Sequence, residues 1–479
     1  MTHIQNALNV VVVGGGPAGT TAALRAAELG ARVTLVERER LGGTCTNDGC
    51  APTRVLARAA RLARDAASFE SHGLTAQAPT VDLGRLLRQT QETITDLHAK
   101  KQLTANLERA GVRVLSGAGA AAFVDAHTLR LGDGQSLRAD RIILCAGGHG
   151  RPLPVPGGEL ALTHRDVWTL KTLPRRVAVI GAAATGCQLA SIFAAFGAQV
   201  HLLELAPRIL PGEDEDVSRA IASAFAARGL DVRCGVRRIE RLEQVADGLR
   251  VAFDDGQGAR SLTVDVVIAA IGWTGNLDAL GLEAAGVARD RGYVAVDDRL
   301  QTSQPHIFAA GDLTGRVMLV QTAQIDARIA AEQAVLGDSP SARAGLVPHG
   351  GFTDPEYASV GLTEAQAQAM APDDVLAAIV PYTDIDRAVI DRLSEGFCKL
   401  IVSRATGAVL GAHVVGEQAV EIVHAAAVAM AGGLSVAQLA DVAFAYPTYT
   451  AVVGQAARVA LQQLAPALPR GWRELAAVA

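Results

Sequence analysis

A pattern of about 30 residues occurs twice in this chain, as VVVGGGPAGTTAALRAAELGARVTLVERE from Val11 and as VAVIGAAATGCQLASIFAAFGAQVHLLELA from Val177. Each copy reads as an apolar strand, a Gly-rich turn, a helix and a second strand that ends on an acid. Gly14 and Gly181, Gly19 and Gly186, Gly30 and Gly197, and Glu37 and Glu204 are all 167 residues apart. One offset shared by four positions marks a repeated βαβ unit and not two chance Gly-rich turns. The chain is therefore expected to be α/β, with two Rossmann-like dinucleotide-binding units.

In the first unit Gly14, Gly16 and Gly19 form G-x-G-x-x-G. Gly14 permits the tight turn, Gly16 lets backbone approach a pyrophosphate, and Gly19 lets the helix pack closely on the strand. Glu37, where the second strand ends, can accept from a ribose hydroxyl pair. The second unit keeps Gly181 and Gly186 but has Ala183 at the middle position. Glu204 favours the free 2′-hydroxyl of NADH and repels the 2′-phosphate of NADPH. Arg208 lies near enough in sequence to soften that preference, so NADH is expected and NADPH possible.

With 479 residues, 49% apolar and 19% charged, the chain is expected to form about three domains. The formal charge of −5 gives no reason to expect nucleic acid or an anionic membrane as a partner. The apolar N-terminal run ends in glycines and reads as a strand, not a leader. The Ala-rich stretch 419–443 is broken by Glu421, His424, Gln438 and Asp441, so a cytoplasmic protein without membrane spans is expected. Helices are expected at 54–69 and 83–110. A Pro/Gly-rich crossover at 151–158 leads into the second unit, and an α+β region begins near His349.

The segment LGGTCTNDGCAPTRVL from Leu41 places Cys45 and Cys50 right after the first unit, at the start of a helix. A helix N-terminus lowers a thiol pKa, so one of the pair can rest as thiolate. Six cysteines are too few for a disulfide scaffold, and no second Cys or His pair completes a zinc site; no metal is expected. Cys145, Cys187, Cys234 and Cys398 stand singly, most of them as core residues.

GGTCTNDGCAPTR resembles the active-site signature of the FAD-dependent pyridine nucleotide-disulfide oxidoreductases, the family of dihydrolipoamide dehydrogenase and mercuric reductase. ILCAGG, AAIGWTGN, TSQPHIFAAGDLTG and GFTDPEYASVGLTEAQA follow in matching order. The resemblance implies an FAD domain from 1–150 and 276–345, an inserted NAD(P)H domain at 151–275, and a C-terminal dimerisation domain at 346–479 that makes a homodimer. It implies Cys45 as the interchange thiol and Cys50 as the thiol against the flavin. Gly43, Thr44, Arg54, Ala121, Ala146, Gly147, Asp312 and Met318 would line the FAD. Gly272 and Gln188 would join the nucleotide-facing set. Electrons would pass from NAD(P)H through FAD and the dithiol to a small disulfide or related acceptor. The other readings are a flavin reductase of metal ions or quinones, and a non-enzymatic dimer, against which the retained dithiol counts.

The chain departs from the family at three places. Tyr446 stands where the family has its acid–base His, and Ala451 where it has a Glu. Tyrosine, with an unperturbed pKa of ~10, donates a proton but is a poor base at neutral pH. A family Lys–Glu pair is replaced by Arg54 and Gln188, leaving more positive charge near the flavin. The ending RGWRELAAVA has no soft metal ligand, which weakens mercuric reduction as the activity. His424, on an apolar helical stretch, is expected to be packed, with a small prospect of serving as the base.

Overall fold

The computed structural model describes residues 7–75, 77–342 and 345–464. The first six residues, read as leading into a strand, and the ending RGWRELAAVA lie outside the described residues.

The first unit is a five-stranded parallel sheet in the order Ile307–Ala309, Arg141–Leu144, Asn9–Val13, Arg32–Glu37, Arg113–Ser116. Val10 to Val13 are each at most 5% exposed, because both faces of the sheet are covered. On one face, helices Pro17–Glu28 and Val320–Leu336 meet through Ala22, Ala23 and Ala26 against Ala327, Ala330 and Ala331. Side chains this small let the two helices approach closely. On the other face, Val11, Val13, Ile142 and Leu144 pack on Phe123 and Leu129 of an antiparallel sheet made by Ala121–Asp125, Thr128–Leu131 and Ser136–Arg138.

The second unit is a parallel sheet in the order Asp231–Arg233, Gln199–Leu203, Arg176–Ile180, Val266–Ala269. Helices Ala184–Ala195 and Glu215–Ala227 share a core with one of its faces, and an antiparallel meander over Arg238–Val245, Gly248–Asp254 and Ala259–Val264 packs on the other. The chain enters through Gly148–Gly150 and leaves through Trp273–Gly275, and these short strands pair antiparallel.

The C-terminal unit is a five-stranded antiparallel sheet, His349–Gly351, Tyr357–Gly361, Val409–Val415, Phe397–Ser403, Val375–Pro381, with helices Ala419–Ala431 and Ala451–Leu464 packed on it. Lys399, 1% exposed in the middle of its strand, reaches Asp214 (2.8 Å), Asp216 (2.7 Å) and Glu364 (2.7 Å). It thereby ties the start of helix Glu215–Ala227 to the C-terminal sheet. The molecule is thus α/β, with two Rossmann-like units and an α+β third unit.

Two local expectations need correction. The helix expected from residue 54 starts at Cys50, and the stretch 83–110 is split into Leu83–Lys101 and Leu103–Arg109 by Gln102 at φ 44°. Among the described residues, no helix is long and apolar enough to cross a membrane.

Candidate active site

Both Gly-rich turns are built from the same bonds. Gly14 N–H donates to Val36 O and Gly181 N–H to Leu203 O, both at 2.8 Å. Gly14 has φ 106° and Gly181 φ 98°, a region that disfavours any side chain. A methyl on Gly19 would sit 1.7 Å from Gly14 O, and one on Gly186 1.8 Å from Gly181 O. Glu37 accepts from Gly15 N–H (2.7 Å) and Glu39 N–H (2.8 Å); Glu204 accepts from Ala182 N–H (2.5 Å) and Ala206 N–H (2.7 Å). Each carboxylate holds its turn and keeps lone pairs for a ribose.

At the middle position the copies part. Gly16 caps helix Pro17–Glu28 and lies under Gly43, where an added methyl would come 2.8 Å from Gly16 Cα. Ala183 caps helix Ala184–Ala195 with nearly the same backbone angles and is exposed. The Gly16–Gly43 contact leads directly from the first nucleotide turn into the cysteine segment.

Cys45 lies on the short helix Gly43–Asn47, and Cys50 is the first residue of helix Cys50–Ala67. The two thiols are free and share a hydrogen bond that lowers Cys45 to about 7 and pushes Cys50 up. Burial opposes the lowering at Cys45, and the Lys101 ammonium adds to it. The charge of Asp312 works in the opposite direction at Cys45 and raises Cys50 further. Burial raises Asp312 above the ordinary carboxylate range. Gly148 approaches it from behind, since a methyl there would lie 3.5 Å from Asp312 Cβ.

The loop between the cysteines is held from three directions. Thr44 O accepts Asp48 N–H and Gly49 N–H. From helix Leu83–Lys101, Lys101 donates to Thr46 Oγ1 and His98 bonds Asn47 Oδ1, both at 2.8 Å. Arg165 pairs with Asp48, and Trp168 Nε1 donates to Asp48 O at 2.8 Å. None of Lys101, His98, Arg165 or Trp168 is singled out by the sequence.

Beside the paired strands Gly148–Gly150 and Trp273–Gly275, the Asn276 side chain donates to Ala146 O (2.7 Å) and its backbone N–H to Gly147 O (3.0 Å), while Gly272 O accepts Arg151 N–H. Met318 lies just ahead of helix Val320–Leu336. Ala121 is buried in a strand ladder, and Ala118 N–H donates to Glu37 O.

Arg54 and Gln188 meet at a residue the sequence leaves unmarked. The Arg54 guanidinium lies 3.4 Å over the Phe352 ring, and Gln188 Oε1 accepts Phe352 N–H at 3.2 Å. Arg208 spends its guanidinium on the carbonyls of Leu210, Pro211 and Glu213, within its own loop. Tyr446 is 79% exposed and donates to Asp386 Oδ2 at 2.6 Å. His424, expected to be packed, is exposed. Cys234 is exposed as well, whereas Cys145, Cys187 and Cys398 are buried.

A fold with two dinucleotide cradles, one opening onto a dithiol, defines a flavin- and nicotinamide-dependent oxidoreductase. Residues 8–327 match the model of the pyridine nucleotide-disulphide oxidoreductases, and residues 347–457 match that family's dimerisation domain. Dihydrolipoyl dehydrogenase of Chlorobaculum tepidum is 34% identical over 465 residues, covering 95% of this chain and 97% of the relative. Mercuric reductase of Bacillus cereus is 32% identical, covering 91% of this chain and 69% of the relative. Among solved structures, the HOCl-induced flavoprotein disulfide reductase RclA of Escherichia coli superposes with TM-score 0.82 at 28% identity, covering 93% of this chain and 98% of the other. LpdA of Mycobacterium tuberculosis superposes with TM-score 0.85 at 28% identity, covering 94% and 99%. The chain belongs to the pyridine nucleotide-disulphide oxidoreductase family. It is a flavoprotein disulfide oxidoreductase that uses FAD and NAD(H).

Proposed function

We propose that the protein reduces a small disulfide or related thiol-reactive acceptor at Cys45, using electrons from NADH. The observation that carries this reading is the Cys45–Cys50 pair, two free thiols sharing one hydrogen bond at the start of helix Cys50–Ala67. FAD, when bound, supplies the two-electron carrier between nicotinamide and dithiol. Gly14, Gly16, Gly19 and Glu37 would hold its adenosine and pyrophosphate, and Asp312 its ribityl chain. Residues 1–150 and 276–345 would form its domain. NADH would occupy 151–275, with Gly181, Gly186 and Glu204 at its adenosine end. Residues 346–479 would pair with a second copy, for which the exposed Val389 (57%) and Ile390 (61%) offer an apolar surface.

The chemistry follows from the thiol pair. A Cys45 thiolate attacks one sulfur of the acceptor disulfide, forms a mixed disulfide and releases one thiolate. Cys50 then attacks Cys45 sulfur, releases the second thiolate and closes the Cys45–Cys50 disulfide. Two electrons leave the dithiol, and the released thiolates take up protons. A second reading, reduction of a metal ion or quinone, is favoured by Tyr446 at the place of the family's base.

Anaerobic titration with NADH tests the proposal. Two alkylatable thiols, Cys45 and Cys50, should appear per chain, and NADPH should act more slowly because Glu204 repels its 2′-phosphate. A screen of disulfides, metal ions and quinones then separates the two readings. Flavin reduction with no new thiol would overturn the dithiol route.

A further inference from the structure

An acceptor that meets Cys45 also meets the charges around it. Between Gly42 and Gly49 the only charged side chain is Asp48, and Arg165 pairs with it from the second unit. A cation is brought to the segment from outside. Helix Leu83–Lys101 ends there, where Gln102 turns the chain at φ 44°, and Lys101 Nζ donates to Thr46 Oγ1 at 2.8 Å. Thr46 is the residue next to Cys45 and is 1% exposed, so the ammonium is held to a fixed point one residue from the half-buried thiol.

The charge of Lys101 is unspent. Its partner is a neutral hydroxyl, and among the described residues it makes no ion pair; the same is true of Arg40, at the entry to the segment. His98, which bonds Asn47 of the same segment, is lowered by burial and then by the charges of Arg40 and Lys101. At Cys45 the Lys101 charge works with the Cys50 hydrogen bond, against burial and Asp312. A cation at a helix C-terminus also suits the last carbonyls, but Lys100 already stands in that turn, and the helix end does not require Nζ to point at Thr46. Holding Thr46 does not require a charge either, since a glutamine amide donates as well. What a charge adds is stabilisation of an anion alongside, whether the Cys45 thiolate or a group on the acceptor.

We propose that Lys101 selects the acceptor by charge, and that the acceptor carries an anionic group, a carboxylate or a sulfonate, close to its disulfide. This rests on the reading above, in which Cys45 attacks the acceptor. Lys101 meets the anionic group as the acceptor sulfur approaches Cys45, and Arg40 adds to the attraction at longer range. The bonds made and broken are those of the disulfide exchange already described.

The test uses the full-length, FAD-loaded protein reduced anaerobically by NADH, with FAD content as the check on folding. Three aliphatic disulfides of different charge reoxidise it: dithiodipropionate (anionic), hydroxyethyl disulfide (neutral) and cystamine (cationic). The quantity read is the second-order rate constant of each charged disulfide divided by that of the neutral one. Comparing this ratio between a variant and the unaltered protein cancels both the leaving-thiol chemistry and the Cys45 thiolate fraction. Lys101→Gln should lower the anionic ratio about 5-fold and raise the cationic ratio by a similar factor, the Coulomb effect of one charge in a partly solvated site. Lys101→Arg should keep both ratios. Added salt should shrink the preference of the unaltered protein far more than that of Lys101→Gln. Ratios that do not change in Lys101→Gln would overturn the inference and leave the dithiol reading intact. If none of the three disulfides reoxidises the reduced protein, the dithiol reading fails and the inference with it.

Discussion

The two nucleotide turns match in their backbone bonds, positive-φ glycines and carboxylate anchors, yet they sit in unlike surroundings. The first is closed over by the cysteine segment, which touches it at Gly16 and Gly43. In the second, Ala183 stands exposed, and the unit is gripped from outside by Lys399. The same βαβ geometry therefore meets two settings. One copy is packed against the cysteine segment, and the other leaves its middle position open to solvent.

The largest expected effect breaks this comparison at its shared position. Gly19→Ala and Gly186→Ala each push a methyl to within 1.8 Å of a backbone oxygen that cannot move aside. Overpacking of this kind costs about 3 kcal/mol or more. Gly19→Ala should yield protein that retains no FAD on gel filtration. Gly186→Ala should keep its FAD but lose reduction by NADH. Equal loss of FAD in both would mean that the two units do not bind separately.

Next in size is the outside grip on the second unit. Lys399→Ala leaves Asp214, itself 2% exposed, without its cation, and breaking such a buried pair costs about 3–5 kcal/mol. Denaturant unfolding followed by circular dichroism should show the loss. Burial alone would raise the Asp214 carboxyl, but bonds from Lys399 and from Glu364 N–H hold it below its ordinary value. Its share of the stability is thus present above pH about 4 and is lost as pH falls through the folded-state value, so the variant should show a weaker acid dependence. An unchanged acid limb would place the stabilisation elsewhere.

The smallest effect sharpens the comparison at the middle position. Ala183→Gly should lower the KM for NADH a few-fold by opening backbone to phosphate, with kcat little changed. Gly16→Ala, whose methyl would stand 3.7 Å from Gly43 Cα, should be tolerated by the fold and weaken FAD retention only slightly. A collapse in either variant would show that the turns are less alike than their backbone angles.

The repeat made the two parallel sheets legible, because a constant offset carries across strand, turn and helix. Cys45, Cys50 and Asp312 were legible because they lie in contiguous motifs. The residues that surround the dithiol were not. Lys101 and His98 reach it from about fifty residues away in sequence, and Arg165 and Trp168 from more than a hundred. Spacing carries no trace of such contacts. The strand GFCKLIVS reads correctly as buried, yet its periodicity cannot tell that Lys399 is buried as an ion with three carboxylates. His424 failed in the opposite sense. It sits in an Ala-rich helix whose composition hides an exposed edge of Glu421, His424 and Val428.

The pairing of Gly148–Gly150 with Trp273–Gly275 has a consequence for modularity. The points where the chain leaves and rejoins the first unit are hydrogen-bonded neighbours, with Gly148 opposite Gly275. Everything between them could be cut out and the ends rejoined by a tight hairpin, without moving any strand of the sheet that carries Gly14. The second unit is in this respect a cassette at the sheet that carries Gly14, but its removal would also take Arg165 and Trp168 away from the loop between the cysteines.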